Sequence, residues 1–139
     1  MNADNRRKKE YLLQYRASLA HEKSLEEQID QLRSAYASPS SQPLDGMPHA
    51  SDPHDLSGYA ARCDELLDEL MRCRMRTIEL RREITRRIES MDNQTEITLL
   101  HLRYIQGYRF EEIAEKLYLS HRSVYYLHGA SLYHFPALP

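Results

Sequence analysis

The sequence has no tryptophan, four glycines and two phenylalanines in 139 residues. With β-branched residues also few, there is little material for sheets and tight turns, and an all-α fold is expected. Cysteine is scarce as well. Cys63 and Cys73 stand ten residues apart in one expected helix, roughly 15 Å along its axis, and cannot bridge each other there. Neither has His or Cys neighbours at metal-ligand spacing, so two reduced thiols in a cytoplasmic chain are expected and no metal site is. Charge of one sign is not in excess, with 19 Lys and Arg against 21 Asp and Glu. Net charge therefore gives no pointer to nucleic acid; only its distribution can. No apolar run is long enough for a membrane span, and MNADNRRKKEYLL has too short an apolar segment for a signal peptide. A Gly-rich phosphate loop and a nucleophile–base pair are missing too, so neither an enzyme nor a cofactor is expected.

Proline is present but concentrated. Four of the six prolines fall in 37–55, a stretch without Lys or Arg, and no helix crosses it. It reads as an acidic linker in which Leu44 and Met47 are the apolar exceptions. It divides an N-terminal coiled-coil helix, 1–36, from a second long coiled-coil helix, 56–91. The first carries Leu12, Tyr15 and Leu19, then Leu25, Ile29, Leu32 and Tyr36; the six-residue step from Leu19 to Leu25, with Glu22 inside it, breaks the register. The second steps by three and four through Leu56, Tyr59, Cys63, Leu66, Leu70, Cys73, Thr77, Leu80 and Ile84, then shifts to Ile88 and Met91. Such a stripe needs a partner helix. A linker spanning roughly 25 Å favours an antiparallel hairpin with the first helix, and a homodimer through the coiled coil stays open beside it.

Two basic clusters accompany these helices. Arg6-Arg7-Lys8-Lys9 reads as the solvated start of the chain. Arg72, Arg74, Arg76, Arg81, Arg82, Arg86 and Arg87 form a denser stripe, read either as tracking a phosphate backbone or as pairing with Glu22, Glu26, Glu27 and Asp30. The second reading is preferred.

The remaining segment, 92–139, reads as three short helices. Asn93 offers a cap with Glu96 three residues on, and Gly107 ends that first helix in the left-handed conformation. In FEEIAEKLYLSHRSVYYLHG, from Phe110 to Gly129, Ile113, Ala114 and Leu117 share one helical face. Ser120 caps a following helix whose inner face carries Val124 and Leu127. This is a helix-turn-helix pattern, with Ala114 the small residue at the crossing, Val124 its wedge and Leu119 the plug of the turn. Tyr118 stands where glycine is usual, and Arg109 where a capping Ser or Thr is.

The run from Glu96 to Phe135 resembles region 4 of sigma-70-type factors through Leu99-Leu100, Leu102-Arg103-Tyr104, Gly107, Glu112-Ile113-Ala114, Leu117, Ser120, Val124, Leu127, Leu132 and Phe135. With Asp45-Gly46-Met47-Pro48, the whole chain is similar to the small phage and prophage regulators of the RinA and ArpU kind, regarded as late-gene transcription activators. The resemblance implies a sequence-specific DNA-binding transcriptional regulator in the cytoplasm of a bacterial host, with double-stranded DNA and host RNA polymerase as partners. It places Ser120, His121, Arg122, Tyr125 and Tyr126 against DNA, with phosphate contacts at Arg103 and Arg109. His121, His128 and His134 would add positive charge only if their pKa values were raised. Two alternatives are a DNA-packaging recognition subunit of the small-terminase type and a coiled-coil adaptor that binds protein only.

Overall fold

The chain is all-α. A computed structural model describes residues 1–37 and 53–139, and no strand occurs among them. The helices are α1 (Ala3–Ala37), α2 (Pro53–Glu89), α3 (Gln94–Leu100), α4 (Phe110–Leu117) and α5 (His121–His134), with one turn of π-helix, His101–Ile105, continuing α3. Most of the proline-rich stretch lies outside the described residues. Pro53 opens α2, a position where its missing N–H costs nothing.

Contacts group the chain into two units, Leu19–Met75 and Met1–Ser18 with Arg76–Pro139. In the first, α1 and α2 run antiparallel: Tyr36 stacks on Tyr59 with ring centroids 4.1 Å apart, while Glu22 and Glu26 meet Arg74. Between these ends, Leu25 and Ile29 are buried with Leu66, Leu70 and Cys73, and Leu32 packs against them. Leu56, at the head of the expected stripe, is exposed. Arg74 reaches Glu26 at 2.7 Å and Glu22 at 3.5 Å, so the preferred reading of the arginine stripe holds for this residue. Glu22 is largely covered, and it fills the gap between Leu19 and Leu25 with an ion pair.

In the second unit the buried apolar residues come from every helix. They include Leu12 and Tyr15 of α1, Ile84 and Ile88 of α2, Leu99 and Leu100 of α3, Ile113 and Ala114 of α4, and Val124 and Leu132 of α5. α5 packs against both α3 and α4. Ser18 and Thr77, both buried, share a hydrogen bond of 2.6 Å. The basic cluster at the start of α1 is not wholly solvated. Lys8 is buried, its Nζ donating to the Tyr133 carbonyl at 3.2 Å and pairing with Asp4 at 3.0 Å. A cation at the carbonyl-rich end of α5 is where the helix dipole favours one.

The π turn is a departure from the single helix expected. Gln106 N–H donates to the His101 carbonyl, five residues back, and Tyr104 and Ile105 within this widened turn are both buried. Gly107 then reverses the chain at φ +80°, and a Cβ there would sit 2.5 Å from the Arg16 guanidinium, which donates to the Ile105 carbonyl at 3.4 Å. Gly107→Ala should therefore cost about 1–2 kcal/mol from backbone conformation alone and more from displacing Arg16. In urea melts, adding Arg16→Ala to that variant should recover part of the loss. A Gly107→Ala protein as stable as the parent would refute the crowding.

Candidate nucleic-acid interface

The two helices of the candidate motif are set by the turn between them. Tyr118 adopts φ 56° and ψ 41°, the left-handed conformation usual for glycine, and its side chain is 94% exposed. Its N–H and that of Leu119 return to the last carbonyls of α4, Leu119 N reaching the Ala114 oxygen at 2.9 Å, the pattern that closes helices at a left-handed residue. Ser120 then starts α5: its Oγ accepts from the Ser123 N–H at 3.1 Å and donates to the Ser123 Oγ at 2.9 Å. Ala114 and Val124 are both buried, as a close crossing requires.

Of the predicted contact residues, His121, Arg122, Tyr125 and Tyr126 come together and line one shallow, open depression on α5. Ser120 is exposed beside them but engaged in capping. Arg122 folds along the helix onto Tyr126, one turn on, with Nη2 3.3 Å from the hydroxyl and the guanidinium 5.6 Å from the ring centroid. Tyr125 leans on Phe110, with centroids 5.4 Å apart. Arg103 is half-buried: Nη1 donates to the Tyr108 carbonyl at 3.1 Å and the guanidinium lies 4.3 Å over the Phe110 ring. Arg109 is exposed and holds Glu112 at 2.8 Å, supplying no side-chain cap to α4. Glu111 and Glu115 are exposed on the same helix.

Phe110 supports this surface from beneath, touching Arg103 on one side, Tyr125 on another and the edge of His128 at 4.9 Å. His128 does not add positive charge. It is buried, and burial, with Lys9 and Arg103 as lesser causes, lowers its pKa to about 4. Burial likewise pushes Tyr104 up to about 12, so the phenol is neutral where it shares a 2.7 Å hydrogen bond with His128 Nε2. His134 is committed elsewhere: Nδ1 meets the buried carboxylate of Glu96 at 2.8 Å. Asn93 caps α3 as expected, accepting from Thr95 and Glu96 N–H, while the Glu96 carboxylate turns inward to His134.

Two tests follow from this geometry. With His128 near 4 when folded and near 6.5 when unfolded, the unfolded state binds more protons between those values. Stability from this group is then complete above about pH 6.5 and falls as pH drops towards 4, by about 3 kcal/mol at most. Melts of His128→Gln should lose that part of the pH dependence; an unchanged profile would contradict the assignment. Tyr118→Gly should stabilise the fold by about 1 kcal/mol, because strain is relieved and an exposed ring leaves no contact behind. A lower melting temperature would show that the ring contributes to the turn.

Residues 65–132 match a family described as a protein of unknown function, DUF1492. The match takes in the C-terminal part of α2, all of α3 and α4, and α5 as far as Leu132. No curated protein and no solved structure matches the chain.

Proposed function

We propose that the chain is a sequence-specific DNA-binding transcriptional regulator of phage or prophage genes, acting in a bacterial host with the host RNA polymerase and as a homodimer. The observation that carries this reading is the α4–turn–α5 pair. Its left-handed turn, capped second helix and buried Ala114–Val124 crossing are the parts a helix-turn-helix needs, and the outer face left over presents Arg122, Tyr125, Tyr126 and His121. Arg122 would read guanine or hold a phosphate, with the tyrosines beside thymine methyl groups or phosphates. Arg109 is placed for a phosphate contact if Glu112 yields it; Arg103 serves better as support for Phe110. No catalytic role is part of this reading.

One observation favours a second reading, an adaptor that binds protein only. Arg122 is the one Lys or Arg on α5, and exposed Glu111 and Glu115 on α4 oppose a phosphate backbone. A DNA-packaging subunit has no comparable support. Arg122→Ala separates the readings. For a base contact, affinity for a phage late-promoter duplex at low salt should fall by roughly 1–3 kcal/mol. For a phosphate contact, binding should weaken alike on all sequences and the salt slope should shrink by about one. Affinity equal to that of the parent would remove α5 from the DNA interface, and recovery of polymerase without DNA would favour the adaptor.

A further inference from the structure

The outer face of α2 carries large apolar side chains that are exposed among the described residues. Leu67 is 41% exposed, Met71 62%, Met75 64% and Ile78 67%. Together with Ala60, Asp64, Arg82 and Thr85 they step along α2 by three and four residues, which keeps them on one side of the helix. Read forwards, this stripe is small, acidic, aliphatic, Met, Met, aliphatic, basic, small. Read backwards it is the same, with the two charges exchanged.

We infer that a second copy of the chain covers this face, with the two α2 helices antiparallel about a two-fold axis near residue 73. A self-complementary patch is what such an interface requires, each contact occurring twice. In this register Met71 lies opposite Met75 of the second copy, Leu67 opposite Ile78, and Asp64 opposite Arg82. Glu65 and Arg81 flank the stripe at the same reciprocal spacing. Unbranched thioethers at the centre pack adaptably against each other. A parallel arrangement would set Asp64 against Asp64 and Arg82 against Arg82, so charge chooses the antiparallel one. The surface gives the homodimer proposed above its residues and direction. It draws nothing from DNA or polymerase binding, and its test uses neither.

The test is the molar mass of the full chain in solution, by light scattering and sedimentation across a concentration series, with helicity and melting followed in parallel. The parent should have twice the 16.4 kDa chain mass. Met71→Lys should abolish the dimer while the helical signal persists. Asp64→Lys should weaken it at least tenfold, and so should Arg82→Asp; Asp64→Lys combined with Arg82→Asp should restore most of it. A monomeric parent would overturn the inference, whatever Met71→Lys does to its melting. A dimer indifferent to Met71→Lys would overturn it too. A double variant no better than the single ones would overturn the antiparallel register.

Discussion

A trio of short helices covering fewer than fifty residues cannot close a core or satisfy its own helix ends. In this protein the deficit is met by side chains of the two long helices. Lys8 donates to the Tyr133 carbonyl, Asn5 to that of Gly129, Arg16 to that of Ile105 and Arg87 to that of Ala137. Each is a long-range contact in sequence, and each ties a backbone carbonyl in or just after α3 or α5 to α1 or α2. The hydrogen bonds at 3.2–3.5 Å are individually modest, but they are directional, as apolar packing is not. They fix which end of α5 is held by the rest of the unit. The opposite end, with Ser120, His121 and Arg122, is the one left open to solvent.

How much of this was legible in the sequence depended on whether the cause was local. The three-four spacing from Leu66 to Ile88 identified α2 and most of its buried stripe. Asn93, Gly107 and Ser120 identified helix boundaries because capping chemistry acts within a few residues. Tyr118 is the instructive local case. It stands where glycine is usual, and the structure keeps the glycine-like turn and accepts the strain, because Leu119, Ala114 and Val124 already specify the crossing. Tertiary packing outweighed a preference of about 1 kcal/mol.

The residues misread were those whose role depends on what lies opposite. Nothing around Lys8 marks one lysine of four consecutive basic residues as buried; its partner is 125 residues away. His128 and His134 were conditional sources of charge in an otherwise weakly basic motif, and each has a side-chain partner inside the unit, Tyr104 and Glu96. The six-residue step at Glu22 looked like a flaw in the stripe, and it holds an ion pair with Arg74. The π turn, closed by Gln106 N–H on the His101 carbonyl, has no signature in the residue types around it.

These corrections sharpen the electrostatic problem of the proposed function. With His128 neutral, His134 drawn to Glu96 and Arg103 stacked on Phe110, the fixed positive charge available on the α4–α5 surface reduces to Arg122, Lys116, whose Nζ lies 4.5 Å from the Tyr108 ring centroid, and an Arg109 already paired with Glu112. A site that neutralises at most two or three phosphates gains little from counterion release, so a single such unit would hold DNA weakly. Regulators with weak individual contacts reach useful affinity by acting in pairs or by being carried to the site by a partner already there, since linkage raises effective concentration without any new contact. The dimer surface on α2 and the proposed polymerase partner each meet that requirement. Their arginines differ in what they can add. Arg81 and Arg86 border the Ile78–Thr85 groove with Arg82; across the dimer Arg82 faces Asp64 and Arg81 stands at the reciprocal spacing to Glu65. Dimerisation would thus leave Arg86, of the three, as a source of fixed positive charge.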